Sequence, residues 1–430
     1  MNAPRSYRSK TLVSPFSNRH VLIRCGECVS TMIVRHRGAM ASTGSMIELP
    51  GEDDPRRQEL RDWFAEHPSP TPAQLRDRGL VVPHWPEPWG LDAEPVHQLI
   101  IEEEMKRAEA KKPINPIGTG HCGPVLVVHG TEAQKERYIP AMLTGEEMWC
   151  QLFSEPDAGS DLANLSTRAV RDGEEYIING QKIWTSLADV AKFGILIART
   201  DTEVSKHTGI SYFIIDMETP GIEVRPILNM GGGGLFNEVF FNEVRVPVDN
   251  LIGEEHNGWA MAKQTLANER VSLSMGGLRW GHGPTVRDLV DEVRERGGLP
   301  YGPLKERLMR AYIEGEILRF HKLALVSAQI NKQPGPDSSL RKAMADPHGK
   351  LVFELGVDLQ EAAGMLFDGP LDGSQAQWND GFRFSPALTV GGGTSEVLKN
   401  IIGERLLGLP HDHDVELGMT WTEAQKAQHS

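Results

Sequence analysis

Residues 151–161 read Q-L-F-S-E-P-D-A-G-S-D, and residues 180–186 read G-Q-K-I-W-T-S. Taken alone, the first stretch is a turn: Pro156, Asp157 and Gly159 disfavour regular structure, and Ser160 and Asp161 suit a cap. Yet Ser154, Ser160, Trp184 and Ser186 stand beside runs of β-branched and aromatic residues. Hydroxyls and an aromatic plate near strand ends are what a flat polar heterocycle needs. These residues leave two readings open, a solvated loop or a ligand site.

Working outward, short runs at 169–170, 175–178, 193–198, 211–216, 222–227 and 238–246 are rich in β-branched or aromatic residues and separated by Gly, Pro and Asp. Asp172-Gly173 is a hairpin signal. Six short strands so close together predict an antiparallel sheet or small barrel. The flanks change period. Residues 53–147 are helical in pattern, interrupted by a Pro/Trp-rich loop at 83–90, with an amphipathic stretch at 95–112 and a capping box from Thr131 to Gln134. Helical pattern returns over 258–407, with long amphipathic stretches at 304–332 and 350–364.

The fold class is therefore a multidomain α+β chain ordered α, β, α. The expected divisions are a basic leader (1–47), an N-terminal α-helical domain (48–147), a central antiparallel β-barrel-like domain (148–252), a C-terminal helical bundle (253–412) and a tail (413–430). A Rossmann unit is disfavoured, because the glycines at 231–234 lead into a strand rather than a helix.

Composition bounds the function. The net charge of −14 argues against a nucleic-acid partner, and no apolar run approaches the length of a membrane span. Residues 1–46 carry Arg5, Arg8, Lys10, Arg19, Arg24, Arg35 and Arg37 against the single acid Glu27. That leader reads as a transit peptide, as disorder, or as sequence upstream of a true start at Met40 or Met46. It is excluded from the fold. Cys25 and Cys28 have no second pair to complete a zinc site, and Cys122 and Cys150 read as buried, reduced thiols. No metal is expected: His411 and His413 sit in a solvated tail, and His121 and His129 read as packing residues. The expected location is the cytoplasm of a bacterium, or the mitochondrial matrix if the leader is a transit peptide.

The two opening segments closely resemble the flavin-binding loops of the acyl-CoA dehydrogenase family. The resemblance extends through F-N-E-V-F-F at 236–241, V-R-V-P at 244–247, L-I-G-E-E-H-N-G-W at 251–259 and A-N-E-R at 267–270. It continues in G-G-T-S-E at 392–396 and N-I-I-G-E-R-L-L-G-L-P at 400–410. It thus covers roughly residues 50–412. It implies a helical domain, a β domain and a four-helix bundle, with FAD between the last two. By position, Gln151, Phe153, Ser154, Trp184 and Ser186 would surround the isoalloxazine and ribityl chain. Gly159 and Ser160 would flank the acyl-CoA opening. Thr394 and Glu396 would meet the flavin from the bundle, Thr394 capping a helix over 395–407. Gln360 and Gly364 partly match a contact to the FAD of a neighbouring subunit.

The implied reaction removes a proton from the carbon next to the thioester while a hydride leaves the next carbon for the flavin. The thioester oxygen needs hydrogen bonds that stabilise the developing enolate. In many members the base is the Glu of a Y-E-G-T stretch. Here residues 391–394 are G-G-G-T, so Gly392 holds that position and only its backbone N–H survives. A branch that includes isovaleryl- and long-chain-type enzymes carries its Glu before an Arg on the first long helix of the C-terminal domain. That corresponds to Glu269 followed by Arg270, a residue placed on the substrate side. Periodicity agrees independently: Ala262, Leu266, Glu269 and Leu273 share one helix face, so Glu269 interrupts an apolar stripe. The alternative is a structural Glu satisfied by a neighbouring helix, and Glu396 is a poor candidate because its position faces the flavin.

A second departure is G-L-P-Y-G at 298–302, with Gly298 where the family's R-x-x-F-G supplies an Arg to the adjacent subunit's FAD. The expected partners are an acyl-CoA, an electron-transfer flavoprotein as acceptor, and either a homodimer or homotetramer or a heterotetramer with a related subunit. An acyl-CoA oxidase and a non-catalytic flavoprotein subunit are the competing readings. Glycine at 391–393 predicts room for a bulky, branched or long acyl group.

Overall fold

The computed structural model describes residues 20–25, 28–33, 51–274, 278–280, 283–330, 337–366, 373–413 and 415–428. In the leader, β1 (His20–Cys25) pairs antiparallel with β2 (Cys28–Ile33); the rest of the leader lies outside the described residues.

The N-terminal helices are α1 (Pro55–Glu66), α2 (Pro72–Asp77), α3 (Pro95–Arg107), α4 (Gly123–His129) and α5 (Glu132–Thr144). Three of them open on proline, where a missing N–H costs nothing. The capping box at Thr131 forms as the sequence predicts, opening α5. Arg57 of α1 and Glu104 of α3 form a buried ion pair at 2.8 Å that locks these two helices together.

The central domain holds β3 (Trp149–Leu152), β4 (Arg168–Asp172), β5 (Glu175–Ser186), β6 (Phe193–Arg199), β7 (Ile210–Asp216), β8 (Ile222–Ile227) and β9 (Phe236–Pro247). The strands run β3-β6-β4-β5-β9-β8, with β7 also paired to β6. The six expected strands are present, and β3 is a seventh. The sheet is mixed rather than purely antiparallel, because β3 runs parallel to β6, as does the single β4–β6 pairing. Every residue of β6 is buried: Ile195 and Ile197 face the N-terminal helices, while Leu196 and Ala198 face the interior of the curled sheet. Burial on both faces explains its continuous apolar run.

The C-terminal helices are α6 (Gly258–Ser274), α7 (Val286–Glu295), α8 (Pro303–Ile330), α9 (Asp337–Asp358), α10 (Gly373–Phe384) and α11 (Ser395–Ile401). Their core gathers Leu289, Leu308, Val352, Phe353 and Trp378. The helix expected over 395–407 changes to a π-helical turn at Ile402–Leu406. The tail is not simply solvated: α12 (Trp421–Gln428) folds back onto the β domain, where the Arg199 guanidinium sits 4.8 Å from the Trp421 ring centre.

Gly298 has a physical reason. Its N–H donates to the carbonyl of Val293 at 2.8 Å, closing α7 at a φ of +84°, which an arginine would adopt only with strain.

Candidate active site

Helix α6 is clamped from two sides. Gln264 meets His129 of α4 at 2.9 Å, and Thr265 meets the Tyr212 hydroxyl of β7 at 2.9 Å. Glu269 lies one turn beyond Thr265, on the same face. Ala262 is buried and Leu266 packs against the core, as the stripe predicts; the Leu273 side chain lies outside the described residues.

Fixed in this way, the half-buried Glu269 accepts a hydrogen bond at Oε2 from Gln151 Nε2 at 3.1 Å. The other end of that carboxamide, Gln151 Oε1, lies 3.0 Å from His121 Nδ1. Three segments thus converge: a turn of the N-terminal domain, strand β3 and helix α6. Burial pulls the His121 imidazole below its ordinary pKa, with the Glu269 carboxylate and the Gln151 bond opposing. Burial also lowers the Arg270 guanidinium, with Glu269 opposing and Arg405 adding to the fall. The 400–410 segment therefore lies within electrostatic reach of α6.

The loop after β3 is built on charge. Glu155 accepts from the N–H groups of Ser166 (2.6 Å) and Thr167 (2.9 Å) and from Lys182 Nζ (2.8 Å). Lys182, fully buried on β5, also donates to the Phe153 carbonyl at 2.9 Å. The N–H of Ile183 reaches the Ser154 carbonyl at 2.9 Å. The two opening segments are therefore physically joined, and Ser154 and Ser186 are both half-buried beside them.

Trp184 occupies a register irregularity between Lys182 and Thr185, at a φ of +59°, and its indole is 58% exposed. It is a large apolar ring in a strained backbone, left uncovered. Phe236 meets its edge with ring centres 6.0 Å apart, and Trp280 meets Phe236 at 6.4 Å. Trp280 also decides what Gly391 can be, since a Cβ there would lie 2.5 Å from Trp280 Cζ2. The expected room at 391 is thus filled by an indole from another segment. Gly393 is open, with Leu398 Cδ2 as the one contact at 3.8 Å. Gly392 has a φ of +66°. Thr394 caps α11 by accepting from the Val397 N–H, and Lys342 Nζ lies 3.5 Å from the Gly393 carbonyl.

The remaining candidates scatter. Gly159 and Ser160 are exposed at the loop tip, and Glu396 is exposed on the first turn of α11. Gln360 is buried, and the Gly364 carbonyl accepts from Asn379 at 3.4 Å, at the far end of α9. Two of the expected cofactor residues have side chains occupied within the protein. The Gln151 carboxamide is engaged by Glu269 and His121, and the Phe153 ring packs against Tyr212 in the core, so these residues offer a ligand mainly backbone. Sequence reading also took His121 for packing and gave Lys182 and Trp280 no role. The signal for Lys182 was a cation inside a strand; nothing in the spacing marks the other two.

The sequence models for the acyl-CoA dehydrogenase N-terminal, middle and C-terminal domains match residues 52–146, 150–244 and 256–407. The chain belongs to the acyl-CoA dehydrogenase family. It is 39% identical to acyl-CoA dehydrogenase FadE34 of Mycobacterium tuberculosis over 78% of its length, although it spans only 45% of that protein. It is 35% identical to acyl-CoA dehydrogenase IpdE1 of the same organism, covering 84% of this chain and 91% of the relative. Among solved structures, the Tcur3481-Tcur3483 steroid ACAD is 30% identical with a TM-score of 0.70, covering 85% of this chain and all of that one. Membership makes this chain an oxidoreductase and implies a flavin cofactor. The uncovered Trp184 plate between half-buried serines fits such a group. No described helix is long and apolar enough to cross a membrane, and no metal-binding cluster occurs among the described residues.

Proposed function

We propose that this acyl-CoA dehydrogenase converts an acyl-CoA thioester to its trans-2-enoyl-CoA, with Glu269 as the base that takes the α-proton. The observation that carries the reading is the placement of this one carboxylate, on the face of α6 that meets Gln151 of the opening motif. The Gly392 backbone N–H is assigned to the thioester oxygen, where it would stabilise charge developing in the transition state. Arg270 lies beside the substrate, and Gly159 and Ser160 flank the opening through which the CoA portion passes. FAD, when bound, supplies the acceptor for the hydride leaving the β-carbon. Trp184, Ser154, Ser186 and Thr394 hold it, with Glu396, Gln360 and Gly364 as outlying contacts.

The acyl group is proposed to be bulky and polycyclic. The steroid ACAD similarity supports this, as does the open turn at Gly393. An electron-transfer flavoprotein is the proposed acceptor. The assembly is proposed to be a homo-oligomer or a pairing with a related subunit. An apolar stripe on α8 supports assembly: Met309, Ile313 and Ile317 are 41, 57 and 47% exposed at helical spacing.

The test is anaerobic addition of short, branched and steroid-type acyl-CoAs to the purified FAD protein, following flavin absorbance and the mass of the thioester. Bleaching with a two-hydrogen mass loss, favouring the polycyclic thioester, is the expected result. A clear preference for butyryl-CoA would sink the substrate assignment.

A further inference from the structure

We infer that His121 is a positioning residue for Glu269, acting through Gln151 rather than by touching substrate. This rests on the reading of Glu269 as the base.

The logic begins with donors and acceptors. An ionised carboxylate only accepts, so the carboxamide facing it must present Nε2, as Gln151 does at 3.1 Å. That leaves Oε1 for His121, and an amide oxygen also only accepts. His121 Nδ1, 3.0 Å away, must therefore carry a hydrogen. With burial keeping the imidazole neutral, the ring is the Nδ1–H tautomer. Reversing the carboxamide would set its oxygen against the carboxylate and its N–H₂ against the ring N–H. The carboxylate at one end and the ring N–H at the other thus agree on a single sense for the carboxamide.

The supports are rigid. The backbone of Gln151 is held in β3, in register with Ile195 of the fully buried β6. His121 stands in a π-helical turn, Gly118–Cys122, immediately before α4. Such turns are rare and favour functional sites. Buried Asn115 holds this one in place: its Oδ1 accepts from the Gly118 N–H, and its Nδ2 donates to the carbonyls of Met142 and Glu147. The wider turn carries an imidazole toward a carboxamide in another domain, which in turn holds a carboxylate on α6. A base must be held within a fraction of an ångström of the proton it takes, and small misplacements cost rate more than binding.

The test compares His121→Leu, Gln151→Leu and the double variant in the full-length FAD protein. Selective ¹⁵N-histidine NMR reports the His121 tautomer. The expected results are a hydrogen on Nδ1 in the wild type, lost in Gln151→Leu. For each single variant, kcat should fall about tenfold with KM within about twofold, and the double variant should be no slower than Gln151→Leu. His121→Asn, which keeps a donor near the Nδ1 position, should hold kcat within a few-fold and guards against a folding defect. Multiplicative losses in the double variant, or a wild-type ring protonated on Nε2 alone, would overturn the inference while leaving Glu269 as the base. If Glu269→Gln still bleaches, the base assignment fails, and the positioning role fails with it even where the NMR contact persists.

Discussion

Lys182 Nζ lies 2.8 Å from Glu155 Oε1, and this one buried ion pair ties the segment at 151–161 to the segment at 180–186. The two motifs occur together because neither charge can be buried without the other. Burial alone would raise the Glu155 carboxyl, but Lys182 and the bonds from Thr167 and Ser166 outweigh it and hold it below the ordinary carboxylate range. The same burial pulls Lys182 down against the attraction of Glu155. The carboxylate is the better compensated partner, since it accepts three hydrogen bonds.

Breaking that pair leaves an unmatched buried charge. Lys182→Met is expected to cost about 3–5 kcal/mol in urea unfolding. The pH dependence follows from the lowered Glu155 value. Its contribution is fully present above the unfolded carboxylate pKa and is lost as pH falls through the folded one. Glu155→Gln should therefore flatten the acid limb of the stability curve. An unchanged acid limb would remove the pair from its structural role.

Trp280 accounts for the glycine at 391. Gly391→Ala should force a contact at 2.5 Å and destabilise the protein by about 1–3 kcal/mol, read as a lowered Tm. In a Trp280→Ala background, whose own cost is measured separately, Gly391→Ala should cost little. Additive losses would separate the two residues.

Lys206 braces the proposed substrate opening. It lies 3.0 Å from Asp161, next to Ser160, and 2.7 Å from Glu416 in the segment before α12. A partly exposed brace of this kind is worth about 0.2–1 kcal/mol. Lys206→Met should raise KM for acyl-CoA by up to about fivefold with kcat unchanged. A fall in kcat alone would argue for a different connection.

The stripe on α8 is expected to be an oligomer contact. Ile313→Glu with Ile317→Glu should lower the mass measured by light scattering while leaving the circular dichroism unchanged. An unaltered mass would leave the stripe outside any interface.

Much of this was legible in the sequence because it rests on local rules. The α, β, α order follows from the change of hydrophobic period, and α5 begins where its capping box predicts. Glu269 stood out through the family resemblance, and its interruption of an apolar stripe agreed. What escaped was tertiary. Residues 149–152 are too short to declare a strand, and their parallel pairing to β6 depends on distant chain. His121, Gln151 and Glu269 are 30 and 118 residues apart in successive steps, so no spacing could join them. Trp280 and Gly391 pair across an equally long gap, and there sequence reading saw space where an indole sits.

The central claim is tested most directly by Glu269→Gln in the purified FAD protein, mixed anaerobically with the most reactive acyl-CoA. The substitution keeps the size of the side chain and removes its charge together with its capacity to take the proton. Full FAD content, retained acyl-CoA binding and a bleaching rate reduced by at least 10²–10⁴-fold are the predicted result. Bleaching at the wild-type rate, with FAD bound, would contradict it and place the base elsewhere.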